Sequence, residues 1–275
     1  MGGAVRRYTA FSDRPEGGNP AGVVLDAGGM SDADMLAVAA ELGYSETAFL
    51  AGSELRYFSP LAEVPFCGHA TVATAVALAE RDGPGTVEFR TRSGAVPVTT
   101  ARGGDGLLTA TLTSVPPRVD AIEPGDLDEL LAALGWEHGD LDPALPPRVG
   151  YAGASHPVLG IATRERLAAL DYDFQRLGAL MTARAWTTVQ LVWRETETMF
   201  HSRNPFPPGG VVEDPATGAA AAALGAYLRE LELVTLPAVV TVHQGDDLGR
   251  PSVLQVGIRA DRPGIEVAGT AVALG

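Results

Sequence analysis

Apolar and polar positions along the chain follow two periods, and their order repeats. In RYTAFS (7–12) and AGVVLDA (21–27) short β-branched or aromatic runs flank the turn-rich DRPEGGNP, the pattern of two strands joined by a turn. SDADMLAVAAELG (31–43) then changes to a helical period. Ser31 is placed to cap it, Asp32 and Asp34 suit its first turn, and Gly43 ends it. SETAFLA (45–51) and LRYFS (55–59) return to strand character. PFCGHATVATAVALAERDG (65–83) opens on a Pro/Gly turn and continues as an apolar helix with very small side chains. GTVEFRTRSGAVPVTTARGGDGLLTATL (85–112) reads as three strands separated by Ser-Gly and Gly-rich turns.

The second half runs through the same order. RVGYAGASHPVLGIAT mirrors the opening strands, with His156-Pro157 standing where Asn19-Pro20 stood. RERLAALDYDFQRLGALMTARA is a helical region, TTVQLVW and TMFHSR are strands, and EDPATGAAAAALGAYLRELE is again a turn feeding a small-sided helix. AVVTVHQGDDLGRPSVLQVGI and IEVAGTAVAL close with hairpin strands. The expected division is an N-terminal lobe over 1–115, a connecting segment over 116–148 with one helix in EPGDLDELLAALG, and a C-terminal lobe over 149–275. TVATAVALAE and GAAAAALGAYL are apolar nearly all round, so each is expected to be buried on most sides. The fold class expected is α+β, with two pseudo-symmetric lobes, each a curled, mostly antiparallel sheet around a central helix. An ordinary helix lying on one sheet face fits the periodicity equally well.

Charge and composition narrow the function classes. A formal charge of −14 argues against nucleic acid, because polyanion binding gains from protein cations. No apolar run approaches the roughly 20 residues of a membrane span, and MGGAVRRYTAFSD carries no signal-peptide stretch. A myristoylation motif would need Ser or Thr at Arg6. A soluble, cytoplasmic protein is expected. All 20 basic residues are arginines, which excludes a pyridoxal aldimine, a Schiff-base aldolase and a P-loop. The lone Cys67 excludes an intrachain disulfide and any CxxC motif, and the five histidines show no metal-binding spacing. No metal and no cofactor are expected.

Glu46, in a strand-like segment, is a candidate general acid/base: burial against Phe49 and Tyr44 would raise its proton affinity toward neutrality. A strand-edge Glu paired with an arginine is the plainer alternative. Gly68 and His69 open the first small-sided helix, and Ala216, Thr217, Gly218 and Ala219 hold the same place in the second. Backbone N–H groups and the helix dipole at these ends suit a carboxylate. Gly-assisted turns capped by their own side chains fit the same residues. His69 is a substrate or proton-relay group, or a satisfied core residue; Asp214 before Pro215 is a polar site group, or simply an N-cap. Asn19 is a further candidate for substrate contact.

GNPAGVVL (18–25), SETAFL (45–50), RYFSPLAEVPFCGHATVATA (56–75) and EDPATGAAAAALGAYL (213–228) together resemble the PhzF-like phenazine biosynthesis isomerase family. The resemblance runs in order over essentially the whole chain. It implies the diaminopimelate epimerase-like fold, a cleft between two lobes, a homodimer, and cofactor-free isomerisation of a small cyclic, amino-acid-like carboxylate by proton transfer between carbons. It implies catalytic roles for Glu46, His69 and Asp214, and substrate contacts from Asn19, Gly68, Thr217, Gly218 and Ala219. Ala219 stands where such proteins often carry Ser, which puts the phenazine precursor itself in question as substrate. Racemases of this fold use two thiols; aligning CGHATVA with PATGAAA sets Pro215 against Cys67, so the second thiol is missing. The alternatives are a racemase or epimerase with Glu46 and an unidentified second base, or a non-catalytic binding protein for a small ligand.

Overall fold

The computed structural model describes residues 3–275. Met1 and Gly2, which open the stretch expected to carry no signal peptide, lie outside the described residues. In chain order the elements are β1 (Arg6–Ala10), β2 (Asn19–Val24), α1 (Asp32–Leu42), β3 (Glu46–Ala51), β4 (Glu54–Phe58), β5 (Glu63–Val64), α2 (Gly68–Asp82), β6 (Thr86–Thr91), β7 (Gly94–Arg102) and β8 (Leu108–Thr113). There follow β9 (Arg118–Ala121), α3 (Pro124–Leu134), β10 (Arg148–Tyr151), β11 (Ser155–Gly160), α4 (Arg164–Ala168), α5 (Phe174–Arg184), β12 (Gln190–Thr196) and β13 (Met199–Arg203). The last are β14 (Pro205–Phe206), β15 (Val211–Glu213), α6 (Gly218–Glu230), β16 (Ala238–Gln244), β17 (Ser252–Ile258) and β18 (Glu266–Ala273). Two compact units result: residues 1–113 with 268–275, and residues 114–267.

In the first unit the strand order is β18-β1-β2-β3-β4-β6-β7-β8, and β8 is hydrogen-bonded back to β18. The sheet therefore curls round on itself. Most pairs are antiparallel; β2–β3 and β4–β6 are parallel because α1 and α2 supply the crossovers. Helix α2 packs against β1, β2, β3, β7 and β8, and every residue from His69 to Ala77 is buried. Helix α1 covers the other face, where Met35 and Ala39 meet Val24, Phe49 and Phe58. Its ends are those anticipated: Ser31 and Asp34 form a reciprocal capping box, and Gly43 closes the helix in the left-handed conformation.

The second unit repeats the plan with the order β9-β10-β11-β12-β13-β16-β17. Its parallel pairs are β11–β12 and β13–β16, again the pairs bridged by helices. Helix α6 packs on β9, β10, β11, β12 and β17, with Ala220–Leu228 all buried. Gly225 shows why its side chains are small: a Cβ there would lie 2.7 Å from both Ile265 Cγ2 and Val256 Cγ1. Segment 116–148 packs as part of this unit, with β9 paired to β10 and α3 against α5. Residues 164–185 form two helices, not one run, because the Asp173 side chain accepts from Arg176 N–H and starts α5 afresh. Asn19-Pro20 lies inside β2, paired with Ala10 and Thr9, and does not form the turn suggested by its residue types. Gly18, at φ +69°, makes that turn instead, and a Cβ there would lie 2.4 Å from Ala10 O.

Candidate active site

Strand β3 begins at Glu46 and helix α2 begins beside it, so the first unit gathers Glu46, His69, Cys67 and Asn19 into one cluster. Glu46 Oε2 lies 3.5 Å from His69 Nε2, with the Glu46 side chain 18% exposed and that of His69 6%. Asn19 Nδ2 lies 3.2 Å from His69 Nδ1. An amide N–H donating there leaves the ring proton on Nε2, facing Glu46. Ser45 Oγ lies within 3.5 Å of the same Nε2, and Cys67 Sγ 3.3 Å from Nδ1. Phe49 does not shield Glu46 as expected. Three positions apart on a strand, the two side chains point to opposite faces, and Phe49 joins the α1 cluster.

Asp214 sits in the turn before α6 in the second unit. Its Oδ2 accepts from Thr217 Oγ1 at 2.6 Å, and its backbone N–H donates to Asn204 O at 3.0 Å. Gln244, at the end of β16, locks the turn. Its Nε2 donates to Asp214 O at 2.7 Å, and its Oε1 accepts from Thr217 N–H at 3.1 Å. Arg203 and Glu213 form a deeply buried ion pair next to this turn, and Arg203 Nη1 also donates to Ala168 O. The N-cap of α6 is Thr217, so Asp214 is not the cap that its position before Pro215 allowed. Neither Cys67 nor Thr217 caps its helix through its side chain.

The helix starts also correct the alignment of the halves. With N-caps superposed, Cys67 corresponds to Thr217 and His69 to Ala219, two residues on from the sequence alignment that set Cys67 against Pro215. The strands give a second correspondence. Laying Asn19-Pro20 on His156-Pro157 puts Ala21 on Val158; Ala21 stands opposite Glu46, and Val158 opposite Gln190. Gln190 is thus the counterpart of Glu46. It is fully buried, with Asn204 Nδ2 donating to its Oε1 at 2.5 Å. His156 beside it bonds Thr188 Oγ1 through Nδ1, and its burial pushes the imidazole down to about 4, so the ring is neutral.

The structure brings Glu46, His69, Gly68 and Asn19 together in the first unit, and Asp214, Thr217, Gly218 and Ala219 in the second. Ser45 and Gln244 were not anticipated. Ser45 adjoins Glu46 in the sequence and could have been found there; Gln244 is 27 residues from its partner Thr217 and had no local signal.

A family model described as phenazine biosynthesis-like protein, PhzC-PhzF, matches residues 8–275. The chain belongs to this family. Among relatives of the PhzC-PhzF chain, the protein of Escherichia coli K12 named as the uncharacterized isomerase YddE is 34% identical, covering 98% of this chain and 96% of its own. The trans-2,3-dihydro-3-hydroxyanthranilate isomerase of Pseudomonas chlororaphis is 30% identical, with 97% and 95% covered. A solved PhzF-family protein from Bacillus anthracis superposes with a TM-score of 0.89 at 27% identity, covering 98% of this chain and 96% of that one. A structure described as a probable proline racemase from Agrobacterium radiobacter K84, at 14% identity and TM-score 0.64, shares the fold. The chain is an enzyme of an isomerase family with the diaminopimelate epimerase-like fold. Among the described residues, no helix is long and apolar enough to cross a membrane.

Proposed function

We propose that this PhzC-PhzF chain is a cofactor-independent, single-base isomerase that moves a proton between two carbons of a small cyclic or amino-acid-like carboxylate. Ionised Glu46 takes the proton from a carbon made acidic by the neighbouring unsaturated or carboxyl-bearing system. The resulting electron pair delocalises, and protonated Glu46 returns the proton to a second carbon, regenerating its carboxylate. His69 Nε2–H donates to the substrate carboxylate or steadies Glu46 between the two steps, held by Asn19. The first turn of α2 at Gly68 offers the same anion its positive dipole end.

One observation carries the choice of a single base. The counterpart of Glu46 is Gln190 and that of Cys67 is Thr217, and neither an amide nor an alcohol serves as the second base of a two-base racemase. This disfavours the racemase or epimerase reading. The relative named for trans-2,3-dihydro-3-hydroxyanthranilate supports a cyclic hydroxy-amino acid as the substrate class. Ala219 in place of a hydroxyl residue favours a substrate with one fewer polar group at that point. Asp214, with Thr217, Gly218 and Ala219, serves the same ligand by engaging its amine or hydroxyl, in a cleft between two lobes of a homodimer.

The test is incubation of metabolite pools in deuterated water with wild type and Glu46→Gln, read by mass spectrometry. Deuterium should enter one metabolite with wild type alone, without inversion of a stereocentre. Exchange by Glu46→Gln at the wild-type rate would sink the mechanism. Ligand binding with no exchange anywhere would identify a binding protein instead.

A further inference from the structure

The Glu46–Cys67–His69 cluster holds more chemistry than the proposed proton transfer uses. One carboxylate oxygen, one thiol sulfur and one imidazole nitrogen lie within 4.8 Å of one another. Glu46 Oε2 is 3.5 Å and Cys67 Sγ 3.8 Å from His69 Nε2. Tetrahedral zinc, with bonds of about 2.0–2.3 Å, sets its ligand atoms roughly 3.3–3.8 Å apart. Cys67 Sγ also lies 3.3 Å from Nδ1, so the thiol must swing toward the Nε2 edge of the ring to join Glu46 around such an ion. Cys67 and His69 are 7% and 6% exposed, whereas Glu46 retains a path to solvent.

We propose that Glu46, Cys67 and His69 form a three-ligand site for a borderline-soft divalent cation of the zinc type, and that its binding switches the isomerase off. The donor set decides the ion class. Thiolate and imidazole select zinc-like ions, whereas magnesium and calcium want all-oxygen shells. Binding releases the Cys67 thiol proton to solvent and leaves a fourth position for water. His69 ligates through Nε2 in the Nδ1–H tautomer, with Asn19 turning its carbonyl oxygen to accept that proton. Inhibition follows because the Glu46 oxygen bound to the ion can no longer accept a proton from carbon. That last step rests on the proposed role of Glu46; the site itself does not.

Cobalt(II) titration of the chelator-stripped full chain tests the site, since a thiolate ligand gives a near-ultraviolet charge-transfer band and tetrahedral geometry gives intense visible bands. The expected result is both signals saturating at one equivalent and displaced by zinc. Cys67→Ala should lose the charge-transfer band and bind about 100-fold more weakly or worse, with His69→Gln as a second variant. Weak six-coordinate spectra, or signals unchanged in Cys67→Ala, would overturn the site. In the deuterium assay, one equivalent of zinc should stop exchange by wild type and not by Cys67→Ala, whose thiol has no part in the proton transfer. Continued exchange by zinc-loaded wild type would overturn the switch. Failure of the Glu46 mechanism would be seen separately, as an intact cobalt site on a wild-type protein that exchanges nothing even without metal.

Discussion

At the scale of single residues, the site was legible where the chemistry is local and hidden where it is long-range. Glu46 and His69 were marked by their segments, and the sheet brings them to 3.5 Å. Asn19, expected as a substrate contact although Asn-Pro also suits a turn, lies in β2 with its amide 3.2 Å from His69 Nδ1, fifty positions away. That amide is one of the contacts that orient the ring, with Cys67, Ser45 and Glu46, much as the outer partners of metal-bound histidines fix theirs. Asn19→Leu keeps the shape of this buried position and removes the donor. We expect it to lower kcat for proton exchange about 10- to 100-fold, with KM changing much less and the urea midpoint moving little. An equal fall in stability and activity would show that Asn19 is only structural.

At the scale of elements, small-sided helices and turn signals fixed where α2 and α6 lie, but not the residue on which each begins. Register was lost because the Gly/Ala-rich helix starts carry few distinguishing side chains, and only the backbone bonds Thr71 N–H to Cys67 O and Ala221 N–H to Thr217 O settle it. The turn before α6 is held by contacts invisible to local patterns: Gln244 from β16, and Arg203 from β13 paired with Glu213. The ion pair is almost fully desolvated, with side chains 9% and 3% exposed. Removing one partner strands the other charge away from water. Glu213→Gln should therefore cost roughly 3–5 kcal/mol of unfolding free energy, measured by chemical denaturation. The double replacement Arg203→Met with Glu213→Leu should recover much of that loss. If the single variant unfolds like wild type, the pair is solvated in solution and does not hold the Asp214 turn.

At the scale of the whole molecule, an excess of 34 acidic over 20 basic residues makes acid the natural stress, and two groups, one buried and one paired, shape how the protein responds. His156 is neutral and buried, lowered by desolvation from 6.5 to about 4. Above pH 6.5 it is neutral in both folded and unfolded chains and affects nothing. As pH falls from 6.5 to 4 the unfolded chain takes up the proton first, so stability drops, by roughly 3.5 kcal/mol in total at about 1.4 kcal/mol per pKa unit. Glu63, hydrogen-bonded and paired to Arg56 and more weakly to Arg92, is lowered from 4.5 to about 2. Its contribution is complete above pH 4.5 and disappears as pH falls toward 2. Urea midpoints should thus decline first between pH 6.5 and 4, then further toward pH 2. His156→Asn should flatten the first decline and leave the second, whereas Glu63→Gln should do the reverse. An identical upper limb in wild type and His156→Asn would mean that His156 is protonated in the native protein. The buried His156 Nε2, without a hydrogen-bond partner among the described residues, argues against that, because an imidazolium there would carry an unsatisfied N–H donor and a full charge.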